Sequence, residues 1–156
     1  DISPLANVKV VELAWCSLIG DVRSLMNVDI LRILTLTGQL INHEQLINRK
    51  LILGGSRFEG NFSALQPTVK ELTLQCSNLF TSLLTREEHN LSTYFKDLQS
   101  LTLNSLGIEN VNGLGDIPHL HLKDCYRLVD ITALGRNRSV TIIECHLLKD
   151  VRSLVT

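Results

Sequence analysis

The chain has 156 residues and a formal net charge of −1. It carries no basic footprint for nucleic acid or an anionic membrane surface, and no apolar run reaches the 18 or more residues needed to cross a bilayer. Leu supplies 30 of the residues and aromatic residues only 4%, a skew that points to a regular, aliphatic interior.

In chain order, "VKVVELAWCSLIGDVRSL" (Val8 to Leu25) sets a pattern that returns in "IPHLHLKDCYRLVDITAL" (Ile117 to Leu134) and "NRSVTIIECHLLKDVRSL" (Asn137 to Leu154). The shared skeleton is V-x-x-L-x-L-x-x-C-x-x-I-x-D-V-x-x-L. An L-x-L alternation reads as a short strand with one buried face. The pairs Val11/Leu13, Leu34/Leu36, Leu51/Leu53, Leu72/Leu74, Leu101/Leu103, Leu120/Leu122 and Val140/Ile142 supply seven such strands. Their second members are spaced by 23, 17, 21, 29, 19 and 20 residues.

The Cys position follows each strand, where a small, weakly polar side chain sits inside and meets turn backbone. Gln39, Ser56, Ser77 and Leu106 stand in for Cys in the middle copies. A second ladder comes next: Asp21-Val22, Asn61-Phe62, Asn110-Val111, Asp130-Ile131 and Asp150-Val151, each with Leu three residues later. Asp or Asn there bonds its own backbone at a turn, and the Val or Ile and the Leu return inward. One such coil cannot bury its aliphatic stripe alone, whereas stacked coils share a continuous core.

The longest interval holds "LTREEHNLSTYFKDLQ". Thr85 and Glu88 have capping-box spacing, and Leu84, Leu91, Phe95 and Leu98 recur at helical spacing. A helical insertion is expected over about 85–97, covering the core from the convex side. "DISPL" at the start and "DVRSL" near the end are both second halves of coils. Neither is an atypical cap of the kind solenoids use, so the array reads as one domain, 1–156, taken from a longer protein.

These coils resemble leucine-rich repeats. "DISPL", "DITAL" and "DVRSL" are similar to the compact repeats of internalin-like bacterial proteins and of many protist repeat proteins, and the Cys resembles the cysteine-containing subclass. The resemblance implies an α/β solenoid, with a curved parallel sheet of about seven short strands on the concave face and turns or short helices on the convex face. It also implies a non-enzymatic protein–protein interaction module. The alternative is an architectural subunit of a larger cytoskeletal, ribonucleoprotein or capsid assembly.

The strand residues between the buried pairs give the candidate partner-binding face: Glu12, Thr35, Ile52, Thr73, Thr102, His121 and Thr141, flanked by His119 and Lys123. They form no carboxylate pair for acid–base work and no Ser/His/Asp grouping. No catalytic residue, cofactor site or metal site is therefore assigned. His119 and His121 share a face, but Thr102 and Thr141 beside them are weak ligands where a closed site wants three or four good ones. The interrupted Thr column does not make a regular lattice-binding surface, and Thr is in any case a good strand residue. "LGGSRFEG" lacks the Lys-Ser/Thr of a phosphate loop, so Gly54 and Gly55 are read as allowing a tight turn. Trp15 is read as a packing residue, with a contact role as the alternative.

Protein partners are expected, with no nucleic acid and no membrane insertion. Three of the four Cys occupy the repeated interior position, which favours reduced thiols and a cytoplasmic setting. The tripeptides beginning at Asn61, Asn90 and Asn137 match the glycan-acceptor pattern and leave an extracellular setting open.

Overall fold

The computed structural model describes residues 1–16, 21–34, 47–54, 68–75 and 97–154. Seven five-residue strands lie in it: β1 (Val10–Ala14), β2 (Ile30–Leu34), β3 (Lys50–Gly54), β4 (Glu71–Gln75), β5 (Ser100–Asn104), β6 (His119–Lys123) and β7 (Ser139–Ile143). They form one parallel sheet in sequence order, each strand paired in register with the next. The chain is thus a solenoid of stacked coils. On the returning side it makes short 3-10 turns, at Ser3–Leu5, Arg23–Leu25, Thr132–Leu134 and Arg152–Leu154. No α-helix occurs among the described residues, so the expected α/β character is not seen there, and the helical insertion over about 85–97 lies almost wholly outside them.

Strand alternation sets what is buried. The second and fourth residues of the strands point inward, and from β2 to β6 each is at most 3% exposed. The strand assignments read from sequence hold for six coils. In β2 the inward pair is Leu31 and Ile33 rather than Leu34/Leu36, because Leu31 registers with Val11 and with Leu51. "LRILTLT" contains two overlapping apolar alternations, and only the earlier one keeps a 20-residue step on both sides.

Four residues just past a strand take the left-handed conformation: Trp15 (φ 58°), Ser105 (57°), Asp124 (51°) and Glu144 (57°). This conformation costs a side chain some energy, but it turns the chain sharply off the sheet. The ladder continues through it, since the Trp15, Ser105 and Asp124 amides donate to the carbonyls of Leu34, Lys123 and Ile143 at 3.2, 2.9 and 3.0 Å. The next residue then drops into the interior. Cys16, Cys125 and Cys145 each donate their thiol to the carbonyl two residues back, at 3.3, 3.6 and 3.5 Å. Cys125 and Cys145 also reach the preceding coil, at Leu103 and Leu122. Leu106 fills the same place and is fully buried, so the position wants small or aliphatic bulk, and the thiol adds a donor.

The Asp/Asn ladder behaves as its chemistry requires. Oδ1 of Asp1, Asp21, Asn110, Asp130 and Asp150 accepts from the backbone N–H two residues on, at 2.9–3.2 Å. Three of these Asx turns, at Asp21, Asn110 and Asp130, hand the chain to a buried aliphatic residue, whereas Val151 after Asp150 is exposed. Val22, Val111 and Ile131 are buried, as are Leu25, Leu114 and Leu134 three residues later.

Coil-to-coil packing also explains two glycines. At Gly54 a Cβ would lie 2.8 Å from Leu34 Cδ2 on the partner strand. Gly54 ends β3 and makes room for that neighbour, a different reason from the tight turn expected. At Gly115 a Cβ would collide with the carbonyl oxygen of Ala133 on the next coil.

Candidate functional site: the outward face of the sheet

The first, third and fifth residues of each strand form three outward columns. The middle column runs Glu12, Arg32, Ile52, Thr73, Thr102, His121, Thr141. Six of the seven residues assigned to it from sequence stand there. Thr35 lies outside the described residues, and its place is held by Arg32. The two equal 20-residue steps, Val11 to Leu31 and Leu31 to Leu51, were the signal that identifies Arg32. His119 and Lys123 take the first and last places of β6, as expected.

Charge on this face is distributed unevenly along the array. At the β1–β2 end, Arg32 Nη1 and Glu12 Oε2 pair at 3.4 Å. In the middle, Glu71 accepts from Lys50 Nζ at 2.8 Å and from Arg49 Nη1 at 3.0 Å, and Arg49 also pairs with Asp29 at 3.0 Å. The hydrogen bond from Lys50 holds the Glu71 carboxyl below the ordinary carboxylate range, against the opposing effect of burial. These pairs are solvated and contribute little stability. Their consequence is to neutralise one another.

Toward β7 the face carries hydroxyls and imidazoles. His119 Nδ1 lies 2.8 Å from Ser139 Oγ on the adjacent strand. Thr73 and Thr102 are register partners, and His121 sits between Thr102 and Thr141. A groove of about 370 Å³ runs over this region from Lys50 to Ile143. Among the described residues no cluster of His, Cys, Asp and Glu has the arrangement of a metal site.

Behind the sheet, Cys125 is buried, and that burial pushes its thiol up to about 12, with the neighbouring Cys145 adding to the rise. A thiol so protonated is a poor nucleophile and a poor metal ligand. Cys16, Cys125 and Cys145 are present as free thiols; Cys76 lies outside the described residues. Trp15 is 82% exposed at the β1 edge and is not packed in the core. No helix among the described residues is long and apolar enough to cross a membrane.

Asn48 and Asn137 are functional in a structural sense that the sequence reading missed. Each stands two residues before a strand, where other coils carry Val28, Val69, Leu98 or Ile117 in the core. The side-chain amide of Asn48 donates to the carbonyls of Leu25 and Val28, and that of Asn137 to those of Leu114 and Ile117. Both therefore staple a coil to the preceding one. The recurring dipeptide Asn-Arg ahead of β3 and β7 was the visible sign. No protein-family model, no curated protein and no solved structure matches this chain.

Proposed function

We propose that this chain is a leucine-rich-repeat module that binds another protein across the outward face of its sheet and has no catalytic activity of its own. The observation that carries this reading is the open groove over β3–β7, floored by short hydroxyl side chains and the His121 imidazole. The repeat identity is supported by the coil itself: an L-x-L strand, an inward Cys, an Asx turn and an inward V/I-x-x-L, repeated at about 20 residues with the strands all on one side. A rigid array with an extended sheet face is suited to recognition. Among the described residues, its thiols, imidazoles and carboxylates do not converge on a point where a reacting atom would sit.

The test is affinity capture with the intact chain, run beside Thr102→Trp, which fills the groove from a half-buried outward position without touching the core. The expected result is a protein captured reproducibly by the parent chain and lost in the variant. Capture that is indifferent to the variant, or no reproducible partner, would remove the reading. Co-fractionation of all the protein with one large particle would favour the architectural alternative.

A further inference from the structure

The groove's own electrostatics narrow what it can hold. Glu71 is the carboxylate lining it, and that charge is already taken by Lys50 and Arg49. No outward residue of β5, β6 or β7 is acidic. Two carboxylates on the adjoining loops are committed, Glu109 to Arg127 and Asp116 to Arg136, and Asp124 and Glu144, which follow β6 and β7, do not line the groove. Lys123, exposed at the end of β6, makes no ion pair among the described residues. It stands on the same strand face as His121, next to Thr141 and Ile143 of β7.

We infer that the partner segment bound here is an extended acidic peptide lying across the strands, with a carboxylate at the Lys123–His121 end of the groove. This rests on the protein-binding reading above and adds the chemistry of the partner. Lys123 supplies a positive charge that no ion pair among the described residues takes up, and the Thr141 hydroxyl on the adjoining strand can donate to the same carboxylate. Ile143, 46% exposed at the rim, offers an apolar contact beside it. From β3 to β7 the groove crosses four strand spacings, about 19 Å, which an extended segment of about six residues spans. A free small anion would leave most of that length empty. A basic segment would meet Lys123 without a counter-charge.

The probe is a phage-displayed library of random 12-residue peptides, selected on the intact chain, with selected peptides then labelled and titrated. The expected result is enrichment of Asp and Glu, with binding weakened at least tenfold by Lys123→Glu and less by Lys123→Gln. Raising the salt from 50 to 300 mM should weaken it further, because screening shortens the reach of Lys123. Circular dichroism of each variant checks that the coils remain intact. Selected peptides that lose binding in Thr102→Trp but show no acidic enrichment and ignore Lys123→Glu would overturn this inference and leave the sheet-face reading standing. Peptides indifferent to Thr102→Trp, or no enrichment at all, would overturn both.

Discussion

The side-chain amide of Asn137 donates to the carbonyl oxygen of Ile117, 20 residues earlier and 2.6 Å away, and to that of Leu114 at 2.9 Å. Those two carbonyls belong to the coil before β6, so one side chain joins consecutive coils on the side opposite Cys125. Among the described residues the buried Asn137 Oδ1 finds no hydrogen-bond partner, and the contacts they give the amide are made by its donor end.

Asn137→Ala leaves both carbonyls without that donor and should lower stability by about 1–3 kcal/mol. Asn137→Asp should cost more, because a carboxylate has no donor and would face two carbonyl oxygens. Chemical denaturation of the three proteins gives the ranking; Asp tolerated better than Ala would contradict the geometry. The same contact occupies the nitrogen a glycan would need. Folded protein recovered from a secretory host should therefore carry no glycan at Asn137, as read from the mass of the peptide containing it.

Leu122 and His121 are adjacent on β6 and face opposite ways. Leu122 is 1% exposed and packs between Leu103 and Ile142, whereas His121 sits half-buried in the groove. Leu122→Ala should cost about 2–5 kcal/mol, and His121→Ala within about 0.5 kcal/mol. Denaturant midpoints of the two variants measure this, and a larger loss at His121 would mean the faces are exchanged.

Most of this architecture was legible in the residues because a stacked coil imposes the same demand every 20 residues or so. Leu101, Leu120 and Val140 declare themselves as an inward column, and Asp130 and Asp150 as turns. β2 was harder because "LRILTLT" satisfies the alternation rule in two registers, and only pairing with Val11 and Leu51 chooses between them. That choice moved Arg32 onto the face and Leu34 beside Gly54. Asn48 and Asn137 escaped notice for a different reason. A polar residue in an aliphatic column reads as a loop residue until the two carbonyls it satisfies are known, and those lie about 20 residues away. The proposed partner is less legible still, since outward side chains are not fixed by the packing demands that repeat along the core.

Asp130 tests whether the turn ladder depends on charge or on an acceptor alone. Its carboxyl is held below the ordinary range, first by the hydrogen bond from the Thr132 backbone and then by the Thr132 side chain. A carboxylate with a lowered folded value contributes stability above its unfolded value, and that contribution fades as pH falls through the folded one. Asn110 does the same job with an amide oxygen. Asp130→Asn should therefore keep the coil within about 0.5 kcal/mol at neutral pH and lose less stability on acidification. Asp130→Ala, which deletes the acceptor, should cost about 1 kcal/mol. Thermal melts at pH 7 and pH 3 separate the two effects, and equal losses for Asn and Ala would show that the Oδ1 contact contributes nothing.

Cys125 supplies the opposite dependence. Burial raises its thiol from an ordinary value of 9.0 to about 12, so the folded chain keeps this proton where the unfolded chain has released it. A raised value means the stabilisation is complete below pH 9.0 and is lost as pH climbs from there toward 12. Cys125→Ala should make the stability curve flatter over that alkaline window while lowering it modestly at pH 7, since the cavity from one sulfur is small. The same burial governs reactivity, because alkylation requires the thiolate. At pH 8, iodoacetamide should label Cys16, which is partly exposed, well before Cys125. Cys125 should react only after denaturant unfolds its coil, and peptide mass spectrometry over a labelling time course reads the order. Rapid native labelling of Cys125, or a native disulfide joining it to Cys145, would mean that this thiol is not held in the core between β5 and β7.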